Sequence, residues 1–141
     1  MLIPAHESDG AGSAELSYEA AFGELDKAIA LDARVADRGD MMRLRARAYL
    51  SLGRYNDVIK FGERAAPLED FYLVYLYLTA AYAQTGEMAK AARAKEQLLK
   101  LNPGYTIARY RKLQISDVPE FWQQTEEHMF AGLRKAGVPE K

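Results

Sequence analysis

Ala48-Tyr49-Leu50-Ser51-Leu52-Gly53 and Ala81-Tyr82-Ala83-Gln84-Thr85-Gly86 are one phrase written twice, and their glycines stand 86 − 53 = 33 residues apart. Each copy ends a helical pattern and opens another that begins with Arg or Glu. A unit of helix, tight turn and helix cannot bury its apolar face until its neighbours stack on it. Repetition at this period therefore commits the chain to a helical array. Function is then read as surface presentation before catalysis.

At 141 residues with 49% apolar composition, the chain is expected to fold as one unit with a continuous core. Nineteen basic against twenty acidic side chains leave a formal charge of −1, so no overall field draws nucleic acid or an anionic bilayer. There is no cysteine, which excludes disulfides, thiolate metal sites and a cysteine nucleophile, and which is compatible with a reducing compartment. The start, Met1 to Glu7, lacks both the basic opening and the apolar run of a signal peptide. The longest apolar stretch, Phe71 to Ala83, falls short of the roughly 20 residues needed to cross a bilayer. A cytoplasmic protein with no membrane partner is the expectation.

Residues 1–14, rich in Gly, Ser, Asp and Pro, read as a flexible leader to a single helical domain over 15–141. Leu16, Ala20, Ala21, Leu25, Ala28, Ile29 and Leu31 recur at helical spacing and predict a first helix from Glu15 to Leu31. Helices are predicted over Asp37–Leu52 and Tyr55–Ala66, turned at Gly53 and stopped by Pro67, and over Glu69–Thr85 and Glu87–Leu101, turned at Gly86. Tyr105 to Gln114 begins a further unit that Ser116-Asp117-Val118-Pro119 interrupts. A last helix, Pro119–Ala136, carries Phe121, Trp122, Thr125, Met129 and Leu133 on one side. The resulting division is a half repeat at 15–36, repeats at 37–68 and 69–103, and a partial repeat with a capping helix at 104–141.

The second hairpin resembles the tetratricopeptide repeat (TPR) family at Tyr75, Leu78, Thr79, Tyr82, Ala91 and Pro103. Small residues at positions such as Ala91 let the helices of a hairpin approach closely. Lys95 and Leu98 depart from the pattern. In the first hairpin Ala46, Tyr49, Val58 and Ala65 fall in register, whereas Arg45 and Gly62 do not. Tyr18, Ala21, Leu25, Ala28 and Ala33 resemble the second half of an earlier repeat. The stretch from Ala91 to Arg111 and the ending from Gly132 to Glu140 are similar to the repeat tails that follow the catalytic domain in bacterial class III adenylate/guanylate cyclases. The resemblance implies an all-α, TPR-like right-handed superhelix of about seven helices with a C-terminal cap.

Only His6 and His128 could serve as histidine ligands or bases, and neither has a motif around it; His128 reads as an exposed helical histidine. Glu69-Asp70 and Glu126-Glu127 are sequence neighbours that a helix points about 100° apart, so they read as solvated or first-turn acids. No glycine-rich loop follows a strand, and no cofactor or metal is expected. Tyr49, Tyr75 and Tyr82 read as packing residues, while Tyr72 and Tyr77 fall off the pattern, either exposed or touching neighbouring helices.

Arg43 and Arg47 lie one helical turn apart and form a two-pronged cation. The family resemblance implies that first helices line a concave groove, here with Arg43, Arg47, Leu76, Ala80, Ala83 and Arg109, able to receive an acidic peptide. The competing reading is a solvated face neutralised by Asp37, Asp40 or Glu69. Phe22, Leu25 and Ile29 share a face of the unpartnered first helix, which a second copy, residues 1–14 folded back or an upstream domain would cover, and self-association as a homodimer is the favoured expectation. The expectation is thus a bacterial protein-interaction module, not an enzyme. Its alternatives are a regulatory fragment of a cyclase-type signalling protein and a binder of a small hydrophobic ligand.

Overall fold

The computed structural model describes residues 22–24, 26, 27, 30–32, 34 and 38–141. The fold is all-α, and the described residues contain no strand. Residues 22–24, 26, 27, 30 and 31 are helical. Then follow α1 (Gly39–Ser51), α2 (Tyr55–Ala65), α3 (Tyr72–Gln84), α4 (Met88–Leu101), α5 (Ile107–Lys112) and α6 (Pro119–Gln124), a π-helical segment (Thr125–Phe130) and α7 (Ala131–Lys135). The leader 1–14 lies outside the described residues.

The two glycine phrases do what their spacing predicts. Gly53 and Gly86 have φ of 73° and 82°. The following amides reach back five residues, Arg54 N–H to Tyr49 O and Glu87 N–H to Tyr82 O, both at 2.9 Å. This closure satisfies carbonyls that a helix end leaves unpaired, and it needs a left-handed residue that only glycine adopts cheaply. A third copy stands at Gly137, φ 87°, where Val138 N–H donates to Leu133 O and the Val138 side chain is buried. The turns fold α1 onto α2 and α3 onto α4 as two hairpins, and α2 packs on α3 to join them.

Helix α3 is the centre of the molecule. Its sequence is apolar on every side, and nine of its thirteen residues are buried, as expected of a helix covered all round. It begins at Tyr72 rather than Glu69, so Glu69 and Asp70 precede the helix instead of occupying its first turn. Two buried clusters meet on it. One joins Val74, Leu78, Tyr82 and Ala83 to Met42, Ala65, Ala91 and Ala94. The other joins Leu76, Tyr77, Ala80 and Ala81 to Leu50, Leu98, Ile107, Tyr110, Met129, Phe130 and Leu133. Burying a side chain the size of Leu76 or Leu133 contributes about 1.5–3 kcal/mol. Tyr77, one of the two tyrosines off the repeat pattern, is buried in this second cluster, and the other, Tyr72, meets the ring of Tyr105 at 5.3 Å between centroids.

The last predicted helix is continuous in space but changes its winding. In an α-helix Phe130 would point about 140° away from Thr125. The π-helical turn brings position i+5 back above position i, and Thr125, Met129, Phe130 and Leu133 are all fully buried. Beyond α7 the chain returns to α5: the amides of Ile107 and Ala108 donate to the carbonyls of Pro139 and Glu140, both at 2.9 Å. The tail thereby satisfies two orphan donors of a six-residue helix.

Candidate functional site

The π-helical segment Thr125–Phe130 packs on α1 and α3, the first helices of the two hairpins, α7 packs on α3, and α6 leads into them with Phe121 against Arg47. This is the surface that the sequence reading reserved for a partner.

Two side chains of α1 and α3, Arg47 and Gln84, and the main chain of Ala80 fix the segment. The Arg47 guanidinium donates to Tyr110 Oη (2.8 Å) and Thr125 Oγ1 (3.0 Å) and to Ser51 Oγ. Its carbon lies 4.8 Å from the Phe121 ring centre and 5.7 Å from that of Tyr110. Planar stacking and forked donors are what a guanidinium offers that an ammonium does not. Gln84 donates from Nε2 to the carbonyls of His128 (3.0 Å) and Glu127 (3.2 Å), and its Oε1 accepts from Lys135 Nζ at 2.7 Å. Those carbonyls lie in the π-helical turn, so a side chain of α3 meets the backbone where the helix widens. Ala80 supplies the closest approach: a β-carbon at Gly132 would stand 2.5 Å from the Ala80 carbonyl oxygen.

The far side of the segment is fastened as well. His128 Nδ1 shares a 2.6 Å hydrogen bond with the Tyr55 hydroxyl, and its side chain is mostly covered, which corrects the expectation of an exposed histidine. Burial and the Glu127 carboxylate push the Tyr55 phenol above its usual range. Glu126 accepts from Arg111 at 2.8 Å and also pairs with Arg134, which bridges to Glu140. Those hydrogen bonds hold the Glu126 carboxyl below the usual glutamate range. The Arg111 guanidinium lies 4.6 Å from the centre of the Phe130 ring.

The open groove expected from sequence is therefore filled by the chain itself. Arg47, Leu76 and Ala80 are buried, whereas Ala83 lies in the other cluster, buried with Met42, Ala65, Ala91 and Ala94 rather than on this face. Arg43 does not join Arg47 in a two-pronged cation: it pairs with Glu69 and stacks 4.9 Å from the centre of the Phe71 ring, in line with the neutralised-face reading. Arg109 donates to Asn102 Oδ1 (2.9 Å) and Pro103 O (3.0 Å), fastening the end of α4 rather than lining the face. Phe22 is not bare; its ring packs 5.1 Å from that of Tyr49, and Arg45 lies over it and over Phe61. Leu25 and Ile29, named with it for self-association, lie outside the described residues.

Open depressions also lie elsewhere among the described residues. One of about 740 Å³ is bounded by Arg111, Gln114, Ile115, Ser116, Asp117 and Trp122, and one of about 320 Å³ lies between α3 and α4 over Tyr75, Leu78 and Tyr82. The described residues contain no group of three or more His, Asp or Glu side chains able to hold a metal, and no described helix is long and apolar enough to cross a membrane. Comparison with protein-family models, curated proteins and solved structures gave no match.

Proposed function

We propose that the chain is a protein-interaction module of the tetratricopeptide kind whose α1–α3 face recognises an amphipathic helix. One observation carries this reading: that face already holds a helix, the segment Pro119–Lys135, through a defined set of contacts. The recognised helix presents a small residue where Gly132 meets the Ala80 main chain, a hydroxyl where Thr125 meets Arg47, and large apolar groups at the places of Met129, Phe130 and Leu133. Chemistry of this type binds by shape and buried area and assigns no catalytic group.

The test cuts the linker. A specific protease site placed between Gln114 and Asp117 leaves residues 119–141 as a separate peptide after cleavage. The peptide is expected to stay bound through gel filtration and to be replaced saturably by a fluorescent copy of itself. A peptide that separates at once, leaving a body with unchanged helical content and melting temperature, would overturn the proposal.

A further inference from the structure

We infer that the segment 119–140 is exchangeable between two copies of this chain, each copy's segment seating on the α1–α3 face of the other. The inference rests on the face being a helix-recognition surface and names its partner as a second copy.

The linker that would have to open is residues 113–118. Among the described residues its hydrogen bonds stay local: Leu113 N–H to Tyr110 O, Gln114 N–H to Arg111 O, Val118 N–H to Ser116 Oγ, and Trp122 Nε1–H to Ser116 O. No long-range bond has to break before it straightens. Gln114 has φ of 49°, the one described residue other than glycine with positive φ. A side chain in that region is strained, and an extended linker releases the strain. Leu113 and Ile115 are about half exposed. Six extended residues span about 20 Å, roughly twice the separation of packed helices, so the segment can reach a neighbouring copy.

The choice of occupant follows from what an outside helix would have to replace. Thr125, Met129, Phe130 and Leu133 are fully buried in the closed chain, and a foreign peptide must match that burial while competing with a tethered rival. A second copy's segment restores every one of those contacts because it is the same sequence. Exchange then costs only the entropy of association, offset by relaxation of the linker and by new contact between the apolar Leu113 and Ile115 side chains of two crossing linkers.

The chain has no cysteine, so Gln84→Cys with Lys135→Cys places a unique pair across the seated face, where those side chains now meet. The double variant is unfolded in guanidinium, refolded at high and low protein concentration, separated by gel filtration and treated with bis-maleimidoethane. Exchange predicts a dimer after refolding at high concentration whose crosslinks join two chains on a denaturing gel. Deleting Ile115 and Ser116, which prevents the segment from folding back, should raise the dimer several-fold, and Gln114→Gly should lower it. A dimer crosslinked only within chains, or a folded monomer at every concentration for both parent and shortened linker, overturns exchange. Crosslinks neither within nor between chains would show that the segment is not seated, which defeats the proposed function as well.

Discussion

The imidazole of His128 lies over the turn at Gly53, so close that a β-carbon on residue 53 would stand 2.7 Å from the ring. Gly86, the same position one repeat later, has the same left-handed backbone and faces open space. Gly86→Ala should therefore cost about 1 kcal/mol of backbone strain. Gly53→Ala should cost about twice as much by urea denaturation, because overpacking adds to the strain. In a His128→Ala background the two costs should become equal. Equal costs with His128 present would remove the contact from the account.

At Gly132 the obstacle to a side chain is main chain, the Ala80 carbonyl, whereas at Gly62 it is the end of the Leu78 side chain. Backbone in the centre of a buried helix cannot yield, and a leucine can change rotamer. Gly132→Ala is expected to lose about 3 kcal/mol and Gly62→Ala about 1 kcal/mol. A reversed order of denaturation midpoints would show that α7 is free to move away from α3.

Ala91 is completely buried at the contact of α4 with α3. Ala91→Trp should cost about 3 kcal/mol, since overpacking there is relieved only by moving both helices. A melting temperature within error of the parent would place Ala91 outside the core.

Reversing the two arginines should separate their roles. Arg43→Glu faces Glu69 near the surface, so it should cost about 1 kcal/mol and be recovered by Glu69→Arg. Arg47→Glu puts an acid among buried hydroxyls and aromatic rings, at a cost of about 3–5 kcal/mol. Circular dichroism melts of the four proteins check this. An Arg47→Glu protein with the parent's melt would mean that the segment does not close over α1.

The Glu126 carboxyl, bound by Arg134 and Arg111, titrates below its ordinary value of 4.5. A group with a lowered folded value contributes stability that is present above the ordinary value and lost as pH falls through the lowered one. The parent should thus lose melting temperature below about pH 4.5 more steeply than Glu126→Gln. The difference should stay under about 1 kcal/mol, because the carboxylate is partly exposed and screened. Parallel acid limbs would show that the ion pairs do not form in solution.

The hairpins were legible in sequence because their determinants are local. Gly53 and Gly86 close turns whose hydrogen bonds span five residues, and Ala91 sits where its own repeat phase puts it. Most of the apolar face of the last helix was legible for the same reason. Phe130 was not, because an α-helical period assigns it to another side and only the π-helical turn brings it in. Arg47 read as a surface cation because its partners Tyr110 and Thr125 lie 63 and 78 residues further along. No local pattern reports such a pairing. For the same reason the face of α1 and α3 read as empty, since its occupant is the chain's own distant segment.

The hydrogen bonds from Ile107 and Ala108 to Pro139 and Glu140 also bear on the order in which the chain can fold. The hairpins α1–α2 and α3–α4 close over connections of a few residues and can form as soon as each second helix exists. Helix α5 is too short to persist alone, and its amides wait for partners more than thirty positions downstream. Folding should accordingly run in two tiers, with the hairpins gaining hydrogen-exchange protection first and α5 gaining it together with the segment that follows. The last layer to assemble is the one that covers the face of α1 and α3.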